Sequence, residues 1–162
     1  MKQESVKSPE QIEAAVYLYG DRLFRLCFIM LGSRADAEDA VQETMIRYMQ
    51  KAPAFENAEH EKAWLITTAK NKCRDMLRFR FRHPQIDLDE LQSFAVTPSE
   101  SSLLETLMQL PDKYRLVLAL YYVEEYRVEE IATMIQRSSS AVKMRLQKGR
   151  TLLKEAMRKE IG

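Results

Sequence analysis

The segment between Val128 and Arg150 holds two amphipathic patterns of helical period, separated by a short turn. The apolar stripe of the first pattern is formed by Ile131, Ala132 and Ile135. The stripe of the second pattern is formed by Val142, Leu146, Gly149 and Leu153. Between the patterns, the consecutive serines at 138–140 offer an N-cap for the second helix. The segment therefore predicts a helix-turn-helix.

The second helix of this predicted motif is strongly basic. Residues 137–159 contain eight Lys or Arg and a single Glu, and a short basic helix fits the major groove of DNA while its cations neutralise phosphates. The face opposite the apolar stripe predicts DNA contacts from Ser139, Ser140, Lys143, Met144, Gln147 and Lys148. Arg145 and Arg150, at the margins of the stripe, suit either phosphates or pairing within the domain. A solvated basic helix is the alternative.

Composition and residue spacing narrow the class of protein. With 162 residues, only four glycines and few alternating runs, the chain is expected to be all-α. Cys27 and Cys73 lack paired spacing and no histidine is placed to complete a site, so we expect two buried thiols, a reducing compartment, and no metal or cofactor. No signal segment and no run near the roughly 20 apolar residues of a membrane span occurs. We expect a cytoplasmic protein without membrane insertion.

Charge is segregated along the chain. Residues 84–102 carry four acidic side chains and no basic one, together with Pro84 and Pro98. This stretch has weak helical periodicity and a serine-rich end, which are typical of a linker. The flanking segments are both net positive. The sequence therefore predicts two small helical domains, residues 1–83 and 103–162, joined by an acidic linker at 84–102.

A second concentration of basic residues lies on a predicted helix that begins near Glu61. The predicted buried stripe of this helix comprises Leu65, Ala69, Cys73, Met76 and Leu77. The opposite, exposed stripe comprises Trp64, Thr68, Asn71, Asp75, Arg78 and Arg82. An aromatic ring beside an amide and arginines can stack on an unpaired base, hydrogen-bond its edge and hold its backbone. The alternative for the single Trp of the chain is burial in the core.

The segment from Asp36 to Met49 has the opposite charge. Its predicted core stripe comprises Ala37, Val41, Met45 and Tyr48. Its outward face comprises Asp39, Gln42, Glu43 and Ile46. An exposed apolar residue among carboxylates and an amide suits contact with a basic protein, because charge steers the encounter and the apolar side chain anchors it. An ordinary solvated helix face is the alternative.

Taken in order, these motifs resemble the bacterial extracytoplasmic-function sigma factors, a short class that contains conserved regions 2 and 4. The resemblance extends from about Leu18 to Met157. DAEDAVQE at 36–43 resembles the family's polymerase-binding segment, and AWLITTAKNKCRDMLRFR at 63–80 resembles its promoter-melting and minus-10 helix. LPDKYRLVLALYYVEEYRVEEIA at 110–132, followed by SAVKMRLQKGR, resembles its minus-35 reader.

The resemblance implies a sigma factor that binds core RNA polymerase and directs promoter recognition and transcription initiation. It implies polymerase contacts from Asp36, Asp39, Gln42, Glu43 and Ile46. It implies minus-10 contacts from Trp64, Thr68, Asn71, Asp75 and Arg78, and it assigns the basic helix to the minus-35 element. Nucleotide addition would belong to the polymerase, so no enzyme activity is expected. Control by a separate anti-sigma protein is expected by family analogy.

Two departures from the family pattern concern the turn. Gln136 and Arg137 stand where the family commonly has Gly and an apolar residue, so a left-handed Gln136 would be strained by about 1 to 2 kcal/mol. Ser140 and Ala141 replace a common Gly-Thr, which leaves the base contacts open. Two other functions compete with a sigma factor. One is a helix-turn-helix regulator that acts without polymerase, and the other is an RNA-binding or adaptor protein that uses residues 70–82.

Overall fold

The computed structural model describes residues 6–80, 103 and 105–161, and every regular element among these residues is helical. The expectation of an all-α fold is therefore confirmed. The chain divides into two compact units, residues 1–82 and 83–162. The predicted linker at 84–102 lies outside the described residues.

Over residues 6–80, the first unit is a bundle of three helices. These are α1 (Pro9–Leu31), α2 (Arg34–Lys51) and α3 (Ala58–Arg80). Ser8 caps α1 in a capping box with Gln11, and Gly32 ends the helix with a φ of 69°, a left-handed conformation that glycine adopts without strain. Ser33 follows at once as the N-cap of α2. The short turn between these caps makes α1 and α2 neighbours in the bundle.

The core of the first unit forms where α3 packs against the other two helices. Leu65, Ala69 and Cys73 of the predicted stripe are fully buried, whereas Met76 and Leu77 are half-buried. Cys73 lies against Cys27 of α1, and this contact together with burial raises the pKa of the Cys73 thiol well above its usual value. Both cysteines are therefore buried core residues, as expected.

The buried face of α2 is not centred where the sequence pattern placed it. Val41 and Met45 of the predicted stripe are only half-buried, whereas Ala40 and Thr44 are buried. Because Ala40 and Thr44 are small, the helix backbone can approach its neighbours there. The Thr44 hydroxyl donates to the carbonyl of Ala40 at 2.7 Å, so burial leaves no polar group without a partner at this position.

Within residues 112–161, the second unit contains three further α-helices. They are α4 (Asp112–Leu118), α5 (Val128–Ile135) and α6 (Ser139–Ile161), and α4 continues into a π-helical segment at Ala119–Val123. α6 packs on α4 at Gly149, where an added Cβ would lie 3.2 Å from Cδ1 of Leu118. The Arg115 guanidinium is buried and donates to the carbonyls of Met108 and Leu110. Burial lowers the pKa of Arg115 to about 10, which still leaves it charged at neutral pH.

The turn between α5 and α6 has the left-handed residue that the sequence raised as a possibility. Gln136 has φ 56° and ψ 49°. The Arg137 N–H donates to the Ala132 carbonyl at 3.0 Å and the Gln136 N–H donates to the Thr133 carbonyl at 3.4 Å, the two bonds of a Schellman motif. Ser138 then caps α6, since its hydroxyl oxygen accepts from the Ala141 N–H at 3.1 Å.

We expect the Gln136→Gly substitution to raise the free energy of unfolding of the second unit by about 0.5 to 1 kcal/mol, because relief of the left-handed strain exceeds the added entropy of the unfolded chain. Thermal or urea unfolding followed by circular dichroism measures this change. Fluorescence of Trp64 identifies the transition of the first unit. Gln136→Ala keeps the strain and is the control. An equal gain from Ala and Gly, or a loss with Gly, would contradict the strain argument.

Candidate nucleic-acid interface

The outer face of α6 is exposed as predicted. Val142 and Leu146 are buried, with 0% and 2% of their surface exposed, whereas 70% of Met144 is exposed. Four other side chains predicted on this face are also exposed: Ser140, Lys143, Gln147 and Lys148. Ser139 is half-buried. The face combines two ammonium groups, an amide and an apolar side chain, which can neutralise phosphates and read base edges.

Arg150 is engaged within its own unit. Its Nε donates to the Tyr122 hydroxyl at 2.7 Å, and its guanidinium lies 5.9 and 5.8 Å from the ring centres of Tyr121 and Tyr122. A guanidinium over aromatic faces is stabilised by the ring quadrupole. Of the two roles that the sequence left open for Arg150, the structure supports pairing within the domain.

The predicted exposed stripe of α3 is exposed over only part of its length. Asn71, Asp75 and Arg78 are exposed, whereas Trp64 and Thr68 are half-buried. The Thr68 hydroxyl donates to the Trp64 carbonyl at 2.8 Å. Arg82 lies outside the described residues. The expectation that the stripe exposes both Trp64 and Thr68 was therefore wrong.

Trp64 is covered by an aromatic cluster that the sequence analysis did not detect. The ring of Phe55, from the loop between α2 and α3, has its centre 5.9 Å from that of Trp64. Tyr48 of α2 lies 6.2 Å from Trp64 and stacks on Phe55 at 6.2 Å, with 9° between the planes. Tyr48 also donates to the Glu61 carboxylate at 2.8 Å. Burial, followed by this bond, raises the pKa of the Tyr48 phenol, so Tyr48 remains a neutral donor.

Lys70 does not belong to the basic surface of α3. Only 3% of it is exposed, and desolvation, followed by the nearby Arg74 charge, lowers the pKa of Lys70 to about 8. Lys72 and Arg74 are half-buried, and Arg78 is exposed. The concentration of basic residues seen in the sequence therefore overstates the charge that this helix offers to a partner.

The predicted outward face of α2 is exposed. Asp39, Gln42 and Glu43 are exposed polar residues, and 41% of Ile46 is exposed. Asp36 is half-buried in the first turn of α2, where its N–H donates to the Ser33 hydroxyl at 3.4 Å. A carboxylate in this position stabilises the positive end of the helix dipole. Asp36 thus has a structural role that explains its presence without a partner protein.

A groove of about 420 Å³ connects the α2 and α3 faces. Among its lining residues are Glu43 and Ile46 from α2, and Thr68, Asn71 and Asp75 from α3. Members of the two sets that the sequence assigned to different partners therefore line one groove. In the part of the chain that the structure describes, no cluster of metal-ligating side chains occurs, and none of the described helices is long and apolar enough to cross a membrane.

Comparison with known proteins identifies the family. Residues 16–82 match the model for Sigma-70 region 2, and residues 100–153 match the model for Sigma-70, region 4. The ECF RNA polymerase sigma factor SigL of Mycobacterium tuberculosis is 30% identical, covering 76% of each chain. The chain belongs to the extracytoplasmic-function sigma factors. This sigma factor is also 29% identical to SigW of Bacillus subtilis, over 88% of its own length and 87% of its relative's.

Solved structures of similar fold are sigma factors as well. RpoE of Bartonella quintana, in its complex with the anti-sigma factor NepR, has a TM-score of 0.73 and 21% identity, covering 92% of this sigma factor and 98% of RpoE. CnrH, in complex with the cytosolic domain of CnrY, has a TM-score of 0.72 and 22% identity, covering 93% of this sigma factor and 90% of CnrH. These similarities confirm the helical fold.

Because Lys70 is buried, the stability of the protein should depend on pH. The folded state holds the Lys70 proton less tightly than the unfolded state, so the buried ammonium lowers stability below pH 8, and this loss disappears as pH rises from 8 to 10.5. The increase in the free energy of unfolding caused by Lys70→Met should therefore be larger at pH 7 than at pH 10.5, by on the order of 3 kcal/mol. Urea unfolding of both proteins across this range measures the difference.

The matched control is Lys51→Met, which removes an exposed lysine from the same unit. Its effect on unfolding should stay nearly constant with pH. A Lys70→Met effect that is equally independent of pH would show that Lys70 is hydrated in solution.

Proposed function

We propose that this sigma factor binds core RNA polymerase through the outer face of α2, and promoter DNA through α3 and α6. The observation that carries the proposal is the basic face of α6, where Met144 is 70% exposed while Val142 and Leu146 are buried. A helix held by one stripe presents the opposite stripe in a fixed direction, which is the requirement for docking in a major groove. We propose the functional boundaries 1–83, 84–102 and 103–162.

The proposed polymerase contact centres on Ile46. Desolvation of a partly exposed apolar side chain supplies affinity, and the carboxylates of Asp39 and Glu43 steer a basic partner towards it. Gln42 adds a hydrogen-bonding group on the same face, and Asp36 lies at its edge.

The proposed minus-10 contact lies along α3. Asn71 and Asp75 would hydrogen-bond base edges of a separated strand, and Arg78 would hold a phosphate. Thr68 and Trp64 lie one and two turns from Asn71 towards the start of the helix, and the exposed part of the half-buried indole would stack on a base. Strand separation costs a few kcal/mol per unstacked step, which base capture and phosphate contacts offset. No covalent step is required of the sigma factor, so we propose that it is not an enzyme.

The proposed minus-35 contact uses two kinds of side chain on α6. Gln147 and Met144 are placed to read base edges, by hydrogen bonding and by apolar contact. Lys143 and Lys148 are placed to neutralise phosphates. Ser139 and Ser140 lie in the first turn of the helix, where the positive end of the helix dipole favours a phosphate.

The proposed setting is the cytoplasm, where polymerase and promoter are available. We also propose regulation by a separate anti-sigma protein. Anti-sigma factors accompany the similarly folded RpoE, which supports this expectation by analogy. The alternative from the sequence, a regulator that acts without polymerase, would bind its duplex site tightly as the purified chain alone, and it does not fit a chain that matches Sigma-70 regions 2 and 4. A sigma factor predicts promoter binding that depends on core polymerase.

We expect Asn71→Ala to reduce open-complex formation on duplex promoters by about tenfold, because one captured base contributes on the order of 1 to 3 kcal/mol. Asn71 is exposed, so this substitution leaves the aromatic cluster intact. A template already mismatched around the minus-10 element should restore most of the activity, because the cost of unpairing is removed. Permanganate footprinting with core polymerase measures the open complexes.

A double substitution on α2, Glu43→Lys with Ile46→Asp, separates polymerase binding from melting in the same assay. It should reduce open complexes on both templates and weaken association with core polymerase. If Asn71→Ala also fails equally on both templates, Asn71 has no role in melting.

On α6, substitutions of a base-reading side chain and of a phosphate-binding side chain should have different effects. Gln147→Ala should change the preference at one or two minus-35 positions, each worth about 1 to 3 kcal/mol. Lys148→Ala should weaken all promoters alike and reduce the salt dependence by about one phosphate. Transcription from single-base minus-35 variants at two salt concentrations measures both effects. An unchanged ranking of promoters with Gln147→Ala would remove Gln147 from base reading.

A further inference from the structure

Lys7 lies just before α1 and is buried, with 8% of its surface exposed, although lysine is among the residues least often buried. Its backbone N–H donates to the Met49 carbonyl at 3.3 Å. Met49 stands in the last turn of α2, where carbonyl groups have no partner within the helix. The segment before α1 therefore closes the C-terminal end of α2.

The side chain of Lys7 reaches beyond this helix end to the loop at residues 52–57. Its Nζ donates to the Pro53 carbonyl at 3.1 Å. The same Nζ lies 4.8 Å from the centre of the Phe55 ring and 5.6 Å from that of Tyr48. An ammonium is attracted to the negative face of an aromatic ring and to the negative end of a helix dipole. One side chain thus ties down two points of the loop.

Phe55 carries this constraint to Trp64. The Phe55 ring is held on Tyr48 and meets Trp64 in an edge-on contact at 5.9 Å. The loop is also fixed where it enters α3, since the Asn57 side-chain oxygen accepts from the His60 N–H at 2.8 Å. Phe55 is the part of the cluster that belongs to no helix. It is held by Lys7, by the stacked ring of Tyr48 and by an edge contact with His60 at 5.2 Å.

We propose that Lys7 is a positioning residue for Trp64 in promoter melting. It holds Phe55 against the indole, so that Trp64 keeps one orientation towards the unpaired base. A capture site is effective when its groups are ordered before the base arrives, because less entropy is lost on binding. The inference rests on the proposed function of Trp64 and adds a residue from outside α2 and α3 to the melting site.

Trp64 is the single tryptophan of the chain, so its fluorescence in the free protein reports on this contact. Lys7→Met keeps the length of the side chain and removes the ammonium. It should shift the emission to longer wavelength and increase quenching by acrylamide about twofold, because without the cation–π contact Phe55 covers the indole less well. Lys7→Arg should retain the wild-type emission, because a guanidinium can also donate and lie over the rings. Arg25→Met, an equal loss of charge at an exposed site on α1, is the control. Unchanged quenching in Lys7→Met overturns the proposal.

The functional test uses the full chain with core polymerase. Lys7→Met should lower open-complex formation on duplex promoters by about five- to tenfold, with partial rescue on a pre-opened template. In a Trp64→Ala background the Lys7 substitution should have no further effect, because coupled residues are not additive. If the losses caused by the two substitutions are additive, the role of Lys7 is overturned and that of Trp64 is not. A Trp64→Ala variant with full activity instead overturns the melting role of Trp64, and the role of Lys7 in melting falls with it.

Phe55→Leu supplies a second route if Lys7→Met unfolds the first unit. This substitution removes the ring that connects Lys7 to Trp64 and keeps an apolar side chain in its place. It should reproduce the increased quenching and the melting defect. Wild-type quenching in Phe55→Leu would overturn the proposal.

Discussion

The two helices proposed to bind DNA, α3 and α6, depend on one constraint, the burial of an apolar stripe that fixes the rotation of each helix about its axis. In α6, Val142 and Leu146 are buried, and Gly149 allows the backbone to approach Leu118. A shift by one residue would rotate the helix by about 100° and bury Lys143 in place of Val142. The cost of burying that charge makes such a rotation unfavourable. The outer face of α6 is therefore set by what lies behind it.

The same constraint acts on α3, but a second contact limits what that helix exposes. Leu65, Ala69 and Cys73 fix its rotation, while Phe55 and Tyr48 cover part of Trp64. The difference between the helices suits their proposed tasks. Base edges in a duplex are read by projecting polar side chains such as Gln147, whereas a separated base needs a backed aromatic surface. In the proposed function, Trp64 would supply such a surface, because the rings of Phe55 and Tyr48 hold it in place.

The features predicted correctly from the sequence are those set by local periodicity. They include the all-α fold and most of the buried stripes of α3 and α6, because neighbouring positions along one helix determine them. The covering of Trp64 and the burial of Lys70 were missed, since both depend on packing between segments distant in the chain. Ala40 and Thr44 were missed for a related reason: close helix packing favours small residues, which a search for large apolar side chains overlooks.

The shared groove between α2 and α3 links the two proposed partners of the first unit. Glu43 and Ile46 line the same groove as Asn71 and Asp75. A polymerase surface placed against Ile46 would displace water from the groove and lower its local dielectric constant. Hydrogen bonds from Asn71 and Asp75 to a captured base would then be stronger than in the free protein. On the proposed function, strand capture would therefore depend on polymerase, because the partner would exclude solvent from the groove.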